Sequence, residues 1–358
     1  MHKTEIRMVA AALAVVSTLG AVAVATAQPG GPGMGHGMMD GGMGRGMGMG
    51  GMNTVQVPAD NPITPEKVEL GKQLYFDPRL SKDGTVSCNS CHDLAGGGAD
   101  PKPVSTGVGG AQGTRNSPTV WNSAFHNAQF WDGRAPSLEE QAKGPLLNPV
   151  EMAMPSDDAV VAVVKGIPGY VRQFDQVFGK DAVTIDNIAK AIATYERTLV
   201  SRNSKFDNFR FADKGALTQD EWAGFQIFRM AGCMECHRGP DFAGPPPLAR
   251  GDGFYQKFPR FPDSPLVAQY KLLDDGGRYN VTKQGNDRHV YRVPTLRNVA
   301  ATAPYFHNGK VPTLAEAARV CAKGGSNRDL SAAEVKSLVA FMEALTGEMP
   351  VQTPPKLP

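Results

Sequence analysis

Two short stretches decide how this chain folds: Cys88-Asn-Ser-Cys91-His92 and Cys233-Met-Glu-Cys236-His237. Both read C-x-x-C-H. Two thiols one helical turn apart can each form a thioether with a haem vinyl group, and the adjacent histidine then sits under the porphyrin and ligates its iron. Two other readings compete. Zinc would draw C-x-x-C pairs together without a fixed histidine after each. A thioredoxin-like dithiol would not be duplicated with histidine each time. The pattern predicts two covalent c-type haems, held by Cys88, Cys91, His92, Cys233, Cys236 and His237.

The rest of the chain is duplicated too. The motifs lie 145 residues apart, and a second, ungapped match has an offset of 176. It aligns residues 117–141 with residues 293–317, through Pro118/Pro294, Thr119/Thr295, Asn122/Asn298, Phe130/Phe306, Gly133/Gly309, Pro136/Pro312 and Leu138/Leu314. Two long copies indicate a duplicated domain rather than a solenoid. Thr64-Pro65 and the capping box Thr218-x-x-Glu221 predict a helix before each haem motif. Residues 185–199 and 331–345 carry apolar residues at helical spacing and close the copies, the second with Ser331 and Glu334 as a capping box. Long Gly/Pro-rich loops lie between. The expected fold is mainly α, with two cytochrome c-like helical domains over residues 58–204 and 205–350 and a boundary near Ser201–Asp207.

A chain of 358 residues fits about two domains, and a net charge of +2 argues against a nucleic-acid binder. Residues 1–27 read as a secretory signal peptide: Lys3 and Arg7, an apolar run from Met8 to Ala25, then Ala25-Thr26-Ala27 for cleavage after Ala27. The competing reading is a retained membrane anchor, for which the apolar run is short. No later segment is apolar enough to span a bilayer, so export predicts a periplasmic protein of net charge +1. Residues 28–57 are Gly/Met-rich, holding seven of the 15 methionines by Met52, and are expected to be disordered. Such a segment suits a flexible tether, a Cu(I) site of soft thioethers, or an oxidant scavenger.

The two C-x-x-C-H sites, residues 115–152 ("RNSPTVWNSAFHNAQFWDGRAPSLEEQAKGPLLNPVEM") and residues 293–309 ("VPTLRNVAATAPYFHNG") resemble the bacterial dihaem cytochrome c peroxidases over residues 58–348. The resemblance implies that the N-terminal haem binds and cleaves hydrogen peroxide. The C-terminal haem would take electrons from a small cytochrome c or cupredoxin, and calcium would lie between the domains. It implies that Glu151 moves a proton between the peroxide oxygens, as a single carboxylate can. It implies that Gln141 orients peroxide or water and that Trp131 relays electrons between the haems. It assigns calcium to Asn116 with the carbonyls of Thr302 and Pro304, oxygen ligands for a hard cation. Family members are often dimers. Plainer readings stand beside these: a solvated surface carboxylate at 151, a core indole at 131, a turn asparagine at 116.

Two positions depart from the family pattern. Many relatives carry a histidine in the loop 105–114 that caps the peroxidatic iron until the other haem is reduced. That place is Val108 here, and nearby His126 is wrongly placed relative to Trp131. The N-terminal haem is therefore expected to be open when both irons are ferric. The second departure lies 14 residues after His307, where the family supplies a methionine to the C-terminal iron; the residue is Cys321. Related enzymes that mature a tryptophylquinone in a partner protein have tyrosine as axial ligand there. Cys321 is a candidate thiolate ligand opposite His237, and the alternative is a buried protonated thiol. Thr313-x-x-Glu316 predicts a capping box that turns Cys321 to the same face as Leu314, Ala317 and Ala318.

The expected activity is thus a periplasmic haem peroxidase reducing hydrogen peroxide to water. One alternative is peroxide-dependent oxidation of a partner protein through a high-valent dihaem state. Another is a non-catalytic electron-transfer protein.

Overall fold

The computed structural model describes residues 54–245 and 251–358. The expected signal peptide lies outside them, as does the Gly/Met-rich segment apart from residues 54–57. The first copy runs α1 (Pro65–Phe76), α2 (Cys88–Cys91), α3 (Leu138–Leu147), α4 (Asp157–Lys165), α5 (Pro168–Phe178) and α6 (Ile185–Glu196). The second runs α7 (Lys205–Phe211), α8 (Gln219–Met230), α9 (Pro265–Gln269), α10 (Tyr279–Thr282), α11 (Leu314–Ser326) and α12 (Ala332–Glu343). A short antiparallel pair, β1 (Tyr255–Lys257) and β2 (Val290–Arg292), joins Tyr255 to Arg292 and Lys257 to Val290.

The helix starts follow their capping chemistry. The Thr64 hydroxyl accepts from the Lys67 amide at the head of α1, with Pro65 next to it. Thr218 and Glu221 exchange both bonds of a capping box at α8, as do Ser331 and Glu334 at α12. The box expected at Thr313 is only half made. Its hydroxyl accepts from the Glu316 amide, but the Glu316 carboxylate instead accepts from Tyr270 Oη at 2.9 Å. A tertiary partner has replaced the local one.

The helices α3–α5 fall where the sequence suggested loops. Their apolar residues recur at helical spacing: Val160 and Val164 on α4, and Tyr170 and Phe174 on α5, lie four apart and are fully buried. Two hydrophobic cores result. One is built from residues between Leu70 and Leu199, including Tyr75, Trp121 and Ile188. The other is built from residues between Phe206 and Leu345, dominated by Phe206, Phe228, Phe242 and Phe341. The C-terminal segment returns to the first core: Met349 packs on it and Tyr195 Oη donates to Gln352 Oε1.

The duplication is visible in the backbone. Asn122 and Asn298, Phe130 and Phe306, and Gly133 and Gly309 all have positive φ, each pair 176 residues apart. The bridges Gln129–Ala135 and Tyr305–Val311 repeat at the same spacing. Each copy is also closed by the same crossing, α1 on α6 and α8 on α12. A glycine permits each. A Cβ on Gly71 would collide with the Ala191 carbonyl, and one on Gly224 with the Ser337 carbonyl. Overpacking a helix crossing costs about 1–3 kcal/mol. Gly71→Ala and Gly224→Ala should each lower the thermal midpoint of the haem-loaded protein. An unchanged melting curve for both would contradict this account of the crossings.

Candidate haem sites

Both attachment motifs end in a histidine whose ring is fixed by main chain. His92 Nδ1 lies 2.9 Å from the Pro118 carbonyl, and His237 Nδ1 lies 2.9 Å from the Phe242 carbonyl. A carbonyl only accepts, so Nδ1 carries the proton and Nε2 keeps its lone pair for a metal. Burial lowers the pKa of both rings, which favours this neutral form. Pro118 belongs to the duplicated segment, so the repeat supplies the support for the first motif. Tyr75 in α1 adds a second brace, donating from Oη to the His92 carbonyl at 3.0 Å.

The second motif faces a cavity of about 220 Å³. Cys233, Cys236 and His237 line it on one side. Leu314, Ala317, Ala318 and Cys321, spaced as one helical face, line it from α11. Phe228 and Met342 add apolar wall. Apolar walls, two thiols and an imidazole with a free Nε2 fit a covalent c-type haem. Around the first motif, Cys88 packs against the first core, and Trp121 Nε1 and Glu196 Oε2 end in buried positions without a partner.

The sequence-derived residues fall in three groups. Glu151 follows α3 in the turn after Asn148, whose Nδ2 donates to Glu151 Oε1 at 2.7 Å. Burial raises its pKa, while Arg134 and the Asn148 bond pull it back. Its charge acts on both Cys88 and Cys91, raising the pKa of each thiol. Gln141 lies on α3, half-buried, on the element that leads into that turn. Val108 is half-buried, its amide donating to the Glu151 carbonyl at 2.8 Å, and Gly107 passes too close to the Val150 and Glu151 backbone to carry a side chain. The loop 105–114 is therefore pinned to the Glu151 turn. His126 lies elsewhere, against the C-terminal cavity.

Trp131 also borders that C-terminal cavity, although it belongs to the first copy. Its Nε1 donates to the Asn116 carbonyl at 2.9 Å, and its ring meets His307 edge-on, centroids 6.3 Å apart. Asn116, Thr302 and Pro304 border the same cavity. The Asn116 amide donates to the His307 carbonyl, which ties the first copy to the second.

Other residues at this junction had no sequence signal. Arg115 bonds Asp275 through Nε at 2.5 Å and Nη2 at 2.9 Å, and Asp132 through Nη1 at 2.5 Å. Its partner Asp275 is 160 residues away, beyond any local pattern. Tyr291 stacks on His307 with centroids 4.4 Å apart, and burial pushes that imidazole down to about 4. Glu196 is a third. Burial, with Glu139 adding to it and Arg197 opposing, raises its carboxyl to about 8.

A mainly helical, duplicated fold with two supported C-x-x-C-H motifs defines a dihaem c-type cytochrome. Residues 65–215 match the family model of the di-haem cytochrome c peroxidases, and residues 290–319 match a RoxA-like, cytochrome c-like model. The cytochrome c551 peroxidase of Nitrosomonas europaea is 46% identical over 299 residues, covering 83% of this chain and 85% of the relative. That of Pseudomonas aeruginosa is 42% identical, covering 83% of each. The crystal structure of a MauG-like protein associated with microbial copper homeostasis superposes with a TM-score of 0.73 at 28% identity, covering 84% of this chain and 94% of that one. The chain belongs to the dihaem cytochrome c peroxidase family. It is a haem peroxidase, carries two c-type haems, and has hydrogen peroxide as its substrate. Among the described residues no helix is long and apolar enough to cross a membrane.

Glu196 yields a stability prediction. Its folded pKa of about 8 exceeds the ordinary 4.5, so the folded state favours the neutral acid. Its stabilising contribution is full below about 4.5 and is lost as pH rises through about 8. Glu196→Gln should therefore gain thermal stability relative to the parent as pH rises across that window. A difference in melting temperature that stays constant with pH would contradict this assignment.

Proposed function

We propose that peroxide is reduced at the N-terminal haem, with Glu151 as the proton-transfer residue, and that electrons arrive through the C-terminal haem. The two haem domains are read as residues 58–204 and 205–350, matching the two hydrophobic cores. The observation that carries this reading is Glu151 itself, a half-buried carboxylate held by Asn148, whose charge acts on both Cys88 and Cys91. When bound, the haem supplies the iron that takes up peroxide and the electrons that reduce it. The chain must supply a group that accepts a proton at the near oxygen and returns it to the far one. A carboxylate whose pKa is raised by burial does this better than an exposed one, because it holds the proton more readily. Asn148 fixes its orientation. Gln141 is assigned to orienting peroxide or the product water.

Trp131 is assigned to electron transfer between the haems, supported by its place on the second cavity's wall and its contact with His307. Asn116 with the carbonyls of Thr302 and Pro304 is assigned to calcium, supported by their shared position at the junction of the copies. The donor class is a small cytochrome c or cupredoxin, and the compartment is the periplasm, resting on the export signal read in residues 1–27. A homodimer belongs to the same reading. A second reading, peroxide-dependent oxidation of a partner protein, is favoured by the likeness to the MauG-like structure. The copper association of that protein would give the methionines of residues 28–57 a Cu(I)-handling role.

Because Val108 replaces a capping imidazole, the fully oxidised protein should react with peroxide without prior one-electron reduction. The rate should fall as pH drops through the raised pKa of Glu151, since a carboxyl that already holds a proton cannot accept one. Glu151→Gln should lower the rate by roughly 100-fold or more and abolish that acid limb. Stopped-flow mixing of ferric protein with peroxide checks all three. A requirement for prior reduction would contradict the open site, and an unchanged Glu151→Gln rate would contradict the proton-transfer role.

A further inference from the structure

The C-terminal cavity is lined by a thiol outside the attachment motif, Cys321. Cys321 lies on α11 in the row Leu314, Ala317, Ala318, Cys321, and all four border the cavity. The two alanines keep that face low, leaving room for a flat macrocycle between α11 and the motif. The thiol is half-buried and shares the cavity lining with Cys233, Cys236 and His237. α11 also packs on the turn that carries Cys233. The second observation is His237. With Nδ1 committed to the Phe242 carbonyl, its Nε2 is left for iron, and one axial position of that iron remains to be filled.

Three other candidate ligands on the wall are held in other contacts or built into the core. His307 is 2% exposed, stacked on Tyr291 and set edge-on to Trp131 at the junction of the copies. Tyr305 Oη donates to the Val299 carbonyl at 3.1 Å. Met342 is a buried member of the phenylalanine-rich core on α12. His126 Nε2 has no hydrogen-bond partner among the described residues, but His126 belongs to the first copy and borders a separate small pocket as well.

We infer that Cys321 is the second axial ligand of the C-terminal haem, bound as a thiolate opposite His237. This deepens the reading above and rests on it only in placing a haem on the second motif. On ligation to ferric iron the S–H bond breaks, an Fe–S bond forms, the proton leaves to solvent, and no electron moves. An anionic thiolate favours Fe(III), whereas a neutral thioether favours Fe(II). The C-terminal haem thereby has a lowered potential and is closed to peroxide, so it passes electrons while peroxide chemistry is confined to the N-terminal haem.

Electron paramagnetic resonance of the resting ferric holoprotein, with no peroxide added, tests this separately from the peroxidase reading. The expected result is a low-spin thiolate signal that is lost in Cys321→Ser while the other haem's signal is unchanged. Spectra that Cys321→Ser leaves unaltered would overturn the inference. If that variant fails to fold, resonance Raman of the unmodified protein decides. An iron-isotope-sensitive Fe–S stretch supports the ligand, and its absence overturns it.

Discussion

The structure depends on one hydrogen bond made twice: the Nδ1 of each attachment histidine donates to a backbone carbonyl. His92 reaches Pro118 and His237 reaches Phe242, both at 2.9 Å. This bond sets the tautomer, aims Nε2, and couples a local motif to distant chain. Covalent thioethers hold the haem in place, but only a fixed imidazole gives its iron a defined axial partner. The glycine crossings at Gly71 and Gly224 then bring the paired helices close enough to enclose each site.

The duplication explains why two similar lobes can take different tasks. The paired backbone at Asn122 and Asn298 is almost the same, with φ of 64° and 60°. Side chains on that shared frame have diverged. Trp121 is buried as a hydrophobe, while Arg297 at the equivalent place pairs with Asp207 and lies near Asp241. The first copy carries the Glu151 turn and its pinned loop. The second carries the long α11, which turns Cys321 toward the cavity. Arg115, Asp132 and Asp275 lock the copies together beside Trp131.

Much of this was legible in the sequence because its signals are local. The attachment motifs, the caps at Thr64, Thr218 and Ser331, and the offset repeat all lie within short windows. The helix frame that turns Cys321 inward was legible as well, although only half of its capping box forms. What was not legible depends on distant partners. Nothing near Gly71 announces that Ala191 will press against it. Nothing near Arg115 announces Asp275, and the burial that raises Glu196 comes from the packing of α1, α2 and α6. The helices α4 and α5 were legible too, against the expectation of loops there, since Ser156 caps the first, Pro168 opens the second and both carry apolar residues at helical spacing. The match to the peroxidase family accounts for the overall activity, while the roles of Glu151, Trp131 and Cys321 rest on their surroundings in this chain.

The central claim is that the two haems are unequal in a particular way: the first is open and catalytic, the second is capped by an anionic ligand that lowers its potential. A potentiometric titration of both haems in the unmodified protein tests it most directly. The account predicts a C-terminal haem midpoint well below the range of histidine–methionine ligation, so that the haem takes electrons only from a small donor of comparably low potential. A C-terminal haem that is reduced first, at a high potential typical of histidine–methionine ligation, would contradict it.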